Sequence, residues 1–371
     1  MGGFIVEGSM IKLYPGGNTS LGFYSFYDYI INEHEAKKIY VIKGGPGTGK
    51  STFMKKIASD LMAKGYDVEL HYCSSDNNSL DGLVIPKLRV AMLDGTSPHV
   101  VDPKNPGAVD TILHMGDFWN EEAMRKNRED IFCATFAYKR CFRRAYDYFK
   151  VASVYWNTLN AYYADFEAID IVTLRRHVNK ILANIFRDVN VQMNVSRVRN
   201  LFASAITPKG CVNALPILAE KVSNRIIINE QIAMGQNMLV NQMINELQMR
   251  GIDYTAFHCA LHPGKIEHIL VPTLDLMVIT SNSYHTYQAE KDDIVLEMKR
   301  FTNFDLLGEV ESEREELAKL LNESIEKGSS FIAMAKVNHD ILEKSYVPNM
   351  DFDKIEQLRL KVVDEILGFD N

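Results

Sequence analysis

The sequence predicts an α/β protein made of two related domains, each with a mostly parallel sheet flanked by helices. Two observations predict this fold class. Short apolar runs alternate with amphipathic segments, which is typical of parallel strands joined by helices. The chain also resembles itself at a fixed offset of 186 residues. Identical pairs at this offset include Gly65/Gly251 and Cys73/Cys259.

The repeat divides the chain into two halves near Val195. The first domain is predicted to be residues 1–195, with a helical subdomain at about 120–187. The second is predicted to be residues 196–371, with a helical subdomain at about 290–371. An internal duplication therefore accounts for nearly the whole chain.

The first half supplies the predicted elements in chain order. Apolar runs predict strands, helical spacing of apolar residues predicts helices, and a glycine-rich segment separates the first strand from the helix that follows it. The predicted elements are a helix at 23–32, strands at 39–43, 67–73 and 88–93, and helices at 50–64, 121–163 and 173–185. The last two helices are long and aromatic, and we expect them to pack on each other as an antiparallel helical subdomain.

The sharpest local pattern is the segment between the first predicted strand and the helix at 50–64. It reads Gly44-Gly45-Pro46-Gly47-Thr48-Gly49-Lys50-Ser51-Thr52 and matches GxxxxGK[ST], the phosphate-binding P-loop motif. Its glycines let successive backbone N–H groups point at phosphate oxygens, and the helix N-terminus adds partial positive charge. We expect Lys50 to contact the β and γ phosphates and the Ser51 hydroxyl to bind Mg²⁺.

Acidic candidates follow two other predicted strands. Asp94 ends the strand at 88–93 and is predicted to hold Mg²⁺ together with Ser51, although a turn residue at a strand end is the alternative. Only one predicted strand separates the P-loop from Asp94, which favours the kinase and GTPase side of the P-loop proteins over AAA+ or RecA-like machines. Asp76, and as an alternative Asp81, are candidates for orienting a water or an acceptor hydroxyl. An exposed turn is an equal interpretation of their loop.

The second half has lost the residues that this chemistry requires. Glu230 stands where the first half has Gly44, and Thr280 stands where it has Asp94. Gln236 and Asn237 replace Lys50 and Ser51. A carboxylate beside bound phosphate is unfavourable because like charges repel. We therefore expect the second half to keep its fold without binding nucleotide.

Composition limits the classes of partner. The 41 basic and 48 acidic residues give a net charge of −7, which argues against a general nucleic-acid-binding protein. Basic residues cluster on the predicted helix at 125–150, so a nucleic-acid-binding surface there stays an alternative. Packing between the two helical subdomains, or a solvated surface, is the favoured interpretation of these charges. An unidentified protein partner also stays open. Five cysteines without a CxxC pair, no signal peptide and no apolar run of membrane length predict a cytoplasmic protein without membrane contact.

Several segments together resemble a poorly characterised family of tandemly duplicated P-loop ATPases of spore-forming and anaerobic bacteria, labelled ATPase or nucleotide kinase. The resemblance covers nearly the full length and implies nucleotide binding with hydrolysis, but no particular substrate. It rests on Gly16–Thr19 with Gly22–Phe26, Lys43–Thr52, Cys73–Asp76 with Asp81-Gly82, and Asp94–His99 running into Asp102-Pro103 and Pro106-Gly107.

The leading functional hypothesis is Mg²⁺-dependent ATP binding with hydrolysis at the first half. ATP is favoured over GTP because no NKxD-like guanine-recognition motif is visible. The alternatives are a kinase for a small molecule or nucleotide, and a non-hydrolysing ATP sensor or nucleic-acid-associated regulator. A zinc site at His258, Cys259, His262 and His268 is disfavoured because their spacing fits no common site.

Overall fold

The computed structural model describes residues 7–97, 100–231, 234 and 237–370. Within these residues the chain forms two six-stranded sheets with flanking helices, and two small hairpins. Our prediction of an α/β protein with two mostly parallel sheets is confirmed at this level. No helix in the described part of the chain is long and apolar enough to cross a membrane.

The elements of the first half run in chain order from a short edge strand to a pair of helices. They are β1 (Met10–Leu13), β2 (Gly16–Thr19), β3 (Gly22–Ser25), β4 (Lys38–Lys43), α1 (Lys50–Met62), β5 (Val68–Tyr72), β6 (Leu80–Ile85), β7 (Val90–Asp94), β8 (Asp110–His114), α2 (Glu121–Lys126), α3 (Arg128–Asp165) and α4 (Ile171–Ile185).

The second half repeats this series, with a short helix where the first half has a 3₁₀ turn at Tyr27–Tyr29. Its elements are β9 (Val198–Leu201), β10 (Ser204–Thr207), β11 (Gly210–Asn213), α5 (Leu215–Ala219), β12 (Asn224–Asn229), α6 (Met238–Met249), β13 (Tyr254–His258), β14 (Ile266–Val271), β15 (Leu276–Ser281), β16 (Ile294–Glu297), α7 (Glu311–Tyr346) and α8 (Phe352–Leu367).

The two large sheets have the same topology. The first has the order β1-β5-β6-β7-β4-β8, and the second, taken from the same end, has β9-β13-β14-β15-β12-β16. In each sheet one strand, β6 or β14, runs antiparallel to both of its neighbours while the other pairs are parallel. Equivalent strands therefore occupy equivalent places.

Each half gives its last helix to the sheet of the other half. Helix α4 buries Leu174 and Val178 in the core formed by β12 and α6. Helix α8 buries Ile355 and Val363 in the core formed by β4 and α1. The predicted boundary near Val195 divides the sequence, but in space each sheet is covered by a helix from the other side of that boundary.

The long helices also pair between the halves. Helix α3 packs along α7 in antiparallel orientation, since Tyr138 contacts His339 near one end while Tyr163 contacts Arg314 near the other. The expected packing of α3 on α4 is therefore wrong. The close approach of α3 and α7 depends on Gly328, where a Cβ atom would lie 2.3 Å from the ring of Phe149.

Two other expectations are corrected by the structure. The predicted helix at 23–32 is strand β3 followed by a short 3₁₀ turn, because β2 and β3 form a hairpin whose turn requires a positive φ at Gly22. Strand β6 was not predicted, since it carries Asp81 and Gly82, which are uncommon in strands. All five cysteines are free.

Candidate functional site

The glycine loop, residues 44–49, connects β4 to the first turn of α1. Gly47 and Gly49 have φ values of +66° and +85°, a conformation that is strained for residues with a Cβ atom. Gly49 is the residue before α1, so the loop leads directly into the helix N-terminus. The first N–H groups of α1 have no carbonyl partner within the helix. The loop and helix therefore present several backbone donors at one point.

Lys50 folds over this loop. Its Nζ donates to the carbonyl oxygens of Gly44 and Gly45, each at 3.0 Å, and lies 3.6 Å from Asp94 Oδ2. The Thr48 hydroxyl donates to the Gly45 carbonyl at 2.9 Å and braces the loop from inside. Lys50 thus reaches both the loop and the acidic residue of a neighbouring strand.

Asp94 lies beside the glycine loop because β7 and β4 are direct neighbours in the sheet. Its Oδ1 accepts a hydrogen bond from the Thr96 backbone N–H at 2.9 Å and another from the Thr96 hydroxyl. Along the chain, two strands, β5 and β6, lie between the glycine loop and β7. Our prediction of a single intervening strand is therefore wrong. The adjacency of the two strands in space is the property that positions Asp94.

All nine residues of the motif, together with Asp76, Asp81 and Asp94, line one cavity of about 580 Å³. Ser51 accepts a hydrogen bond from the Leu80 N–H at 2.9 Å, which fixes its hydroxyl at the start of α1 and leaves its proton and a lone pair for a ligand. A hydroxyl and a carboxylate in one cavity are hard oxygen donors suited to Mg²⁺.

The two other acidic candidates occupy different environments in this cavity. Asp81 is buried on β6 beside Tyr27, where burial and then the charge of Asp81 raise the pKa of Tyr27 well above its ordinary value. Asp76 lies in the loop after β5, and its Oδ2 is 3.3 Å from the Nζ of Lys336. Both carboxylates reach the cavity, and Asp76 forms an ion pair with the second half of the chain.

The second half closes the other side of the cavity, and the particular residues that it supplies were not predicted. Helix α7 contributes Lys336, His339 and Glu343, and α8 contributes Phe352. The helix end lies against the glycine loop, because a Cβ atom on Gly47 would be 2.9 Å from Val347. No motif marks these residues, and they lie far from the loop in sequence. They reach the site because α7 packs on α3 and α8 packs on the first sheet.

The charges on α7 interact with those of the loop. Burial alone would lower the pKa of Lys336, but its contact with Asp340 and the charge of Asp76 raise it above the ordinary value. Burial lowers the pKa of His339, and the charges of Lys336 and Lys50 act in the same direction. Lys336 is therefore a firmly protonated cation near neutral pH.

The equivalent place in the second half is filled by its own charged residues. Glu267 Oε2 is 2.9 Å from His285 Nε2, and Lys265 Nζ is 3.5 Å from Glu267 Oε1 and 3.8 Å from Glu230 Oε1. His285 Nδ1 donates to the Thr280 carbonyl at 2.9 Å. Burial alone would lower the pKa of His285, but the neighbouring Glu267 raises it above its ordinary value. These groups are buried and form internal ion pairs.

The residues considered for zinc are not brought together as a set. His258 is hydrogen-bonded to the Pro263 carbonyl at 2.6 Å and lies 3.0 Å from Asn200 Oδ1. Among the described residues, the two groups with metal-ligand geometry are Glu267–His268–His285 and His339–Asp340–Glu343. In the first group His268 Nδ1 accepts a hydrogen bond from the Thr280 N–H, so its proton is on Nε2, the nitrogen that a metal would need.

Two residues of the segment that replaces the glycine motif in the second half, Gly235 and Gln236, lie outside the described residues.

One family model matches part of the chain. Residues 25–84 are similar to the family described as Nephrocystin 3, N-terminal, and this segment contains β4, the glycine loop, α1, β5 and all but the last residue of β6. Neither a curated protein nor a solved structure matches the chain. The matched segment is too short a part of the chain to define its family.

Proposed function

We propose that this protein binds Mg·ATP at the glycine loop of its first half and hydrolyses it, and that its second half is a nucleotide-free domain. The observation that carries the proposal is the meeting of Lys50, Ser51 and Asp94 in one cavity at the N-terminus of α1. The resemblance to tandemly duplicated P-loop ATPases supports the same function. The direct neighbourhood of β4 and β7 favours the kinase and GTPase side of the P-loop proteins.

Each residue has a specific task in this proposal. The N–H groups of the glycine loop and of the first turn of α1 bind phosphate oxygens, favoured by the helix dipole. Lys50 exchanges its bonds to the loop carbonyls for the β and γ phosphates. Ser51 and Asp94 would hold Mg²⁺, which neutralises phosphate charge when bound. Asp76 is the candidate for orienting the attacking water, since it lies in the loop that leaves the carboxyl end of β5.

The buried ion pairs of the second half support its assignment as nucleotide-free. Glu230 replaces Gly44 and is almost fully buried, so its carboxyl would meet any phosphate at close range. Lys265 and His285 already face Glu267 and Glu230. A ligand there would have to displace these internal partners as well as overcome charge repulsion.

Phosphoryl transfer to an acceptor is the second candidate. It is favoured by the extension of the cavity beyond the glycine loop to Tyr138 and Phe142 of α3, which offer an apolar wall. An acceptor bound there would place its hydroxyl near Asp76 or Asp81. The two carboxylates that we considered for water activation would then orient that hydroxyl instead.

Product analysis separates these functions. The full chain is incubated with Mg·ATP and no acceptor, and ADP and free phosphate are measured. We expect equimolar ADP and phosphate above the background of a Lys50→Ala control. Tight ATP binding without either product would exclude hydrolysis, and formation of ADP only after adding nucleosides or other hydroxyl compounds would identify a kinase.

A further inference from the structure

The strongest unassigned feature of the cavity is the cation that α7 brings into it from the second half. Lys336 lines the same cavity as Lys50, is about a quarter exposed, and pairs with Asp76 at 3.3 Å. It also contacts Asp340 of its own helix. Lysines from both halves thus line the cavity: Lys50 and Lys56 from α1, and Lys336, which is held beside the loop after β5.

The position of Lys336 relative to the glycine loop is fixed by packing. The end of α7 lies on the loop at Gly47, and the helix is locked to α3 where Gly328 meets Phe149. Lys336 lies between these two contacts on the same helix. Movement of its backbone is therefore restricted, while its four-carbon side chain is free to change partners within the cavity.

Comparison of the two halves indicates that this lysine belongs with the phosphate site. At the offset of 183 that superposes the buried faces of α3 and α7, the counterpart of Lys336 is Ser153 and that of His339 is Trp156. Trp156 packs on His262, the counterpart of Asp76, with ring centroids 4.5 Å apart. The cation is present over the half that keeps the glycine motif and absent from the equivalent position over the half that lost it.

We infer that Lys336 is a phosphate-binding residue supplied by the second half of the chain, and that it contacts the terminal phosphate of a triphosphate bound at the glycine loop. The inference rests on the proposed function. Asp76 holds the lysine in place before the nucleotide arrives, and the phosphate then competes with Asp76 for the ammonium group. A nucleotide without the terminal phosphate leaves the Lys336–Asp76 pair intact.

The test compares Mg·ATP with Mg·ADP binding to the full chain by calorimetry. Lys336→Met should weaken Mg·ATP binding about tenfold or more, the loss of a hydrogen bond to a charged group, while changing Mg·ADP binding less than about threefold. Lys336→Arg should retain most of the affinity for Mg·ATP. Lys344→Ala, an exposed lysine on the same helix, is the matched control and should behave as the wild type.

The outcomes distinguish the two proposals. Equal losses for both nucleotides, or none for either, would overturn the role of Lys336 while leaving nucleotide binding intact. A wild-type protein that binds neither nucleotide would overturn the proposed function and the inference together. If Lys336→Met does not fold, Lys336→Gln, which keeps a hydrogen bond to Asp76, is measured in its place and judged by the same ratio of affinities.

Discussion

Tyr14 and Phe202 exchange both of their backbone hydrogen bonds, with N···O distances of 3.1 and 3.0 Å. They are equivalent residues of the two halves, separated by the offset of 188 that also relates β1 to β9. A residue pairs reciprocally with its own equivalent where a twofold axis passes between them. The two halves are therefore related by a pseudo-twofold axis at this pair. The exchange of α4 and α8 follows this symmetry, because each of these helices covers the sheet of the other half.

We expect the fragment 1–195 to fold poorly by itself. It lacks α8, which covers the apolar face of β4 and α1, and it lacks α7, the partner of α3. Without the second sheet, helix α4 of the fragment would expose Leu174 and Val178. Gel filtration and thermal melting should show an aggregated or non-cooperative fragment. Co-expression with the fragment 196–371 should restore a cooperative melt. A monomeric fragment that melts like the full chain and binds nucleotide equally well would contradict the exchange.

The ion pair between Glu69 and Arg199 should make the stability of the contact between the two halves depend on pH in the acid range. The guanidinium bonds both carboxylate oxygens, at 2.9 and 2.6 Å, across the boundary between β5 and β9. Burial alone would raise the pKa of Glu69, but Arg199 and His71 hold it well below its ordinary range. Because the folded pKa is depressed, the stabilisation is complete above the unfolded pKa of about 4.3 and is lost as the pH falls below it.

Urea unfolding at a series of pH values checks this pair. Glu69→Gln should cost about 1.5–3 kcal/mol at neutral pH, since it removes the charged partner of a partly buried guanidinium. The difference from the wild type should shrink as the pH falls. Asp253→Asn, which removes an exposed partner of Arg197, is the control and should change stability little. A Glu69→Gln variant with wild-type stability at neutral pH would contradict the role of the pair.

Substitution of Gly328 should separate α3 from α7. Gly328→Ala would place its Cβ atom 2.3 Å from a ring atom of Phe149, so one helix must move. We expect a loss of about 1–3 kcal/mol of stability, typical of an overpacked core. The control is Gly308→Ala, where no atom lies within 4 Å of the added Cβ. The double variant Gly328→Ala with Phe149→Leu has a smaller side chain at position 149 and should recover stability. If it does not, close packing against Phe149 is not the reason for a glycine at position 328.

Metal binding should depend on the first half. Equilibrium dialysis with nucleotide should detect Mg²⁺ in the wild type and lose it in Asp94→Asn, because the amide has no charge to hold the ion. We also expect no stoichiometric zinc after purification, since His258 is hydrogen-bonded to Asn200 and Pro263. Tightly bound zinc would refute our interpretation of the histidines, and Mg²⁺ retained in Asp94→Asn would remove Asp94 from the site.

The parts of the fold that the sequence predicts are those set by local pattern. Helix α1 and strand β4 have clear apolar periodicity, and the repeat of 186 residues predicts that the two sheets share one topology. Strand β6 was missed because Asp81 and Gly82 interrupt its pattern, although both are buried in the sheet. The predicted helix at 23–32 is wrong because the aromatic residues of β3 and of the turn after it fit either period.

The individual residues of the cavity could be predicted only on the side formed by the glycine motif. Gly44 to Thr52 and Asp94 are marked by local sequence and by a strand end. Lys336 and His339 are ordinary residues of a long helix, and their approach to the loop depends on how α3 and α7 pair. That pairing is decided by packing over long distances in sequence, such as Gly328 against Phe149. A single sequence carries no local signal for it.

The most direct test of the central claim is the thermal stability of the full chain with and without Mg·ATP. At a ligand concentration a hundredfold above Kd, binding stabilises the folded state by about 2.7 kcal/mol, which should raise Tm by several degrees. Lys50→Ala should abolish most of this rise, while Lys64→Ala, an exposed lysine just beyond the end of α1, should leave it unchanged. No rise in the wild type, or an equal rise in Lys50→Ala, would contradict nucleotide binding at the glycine loop.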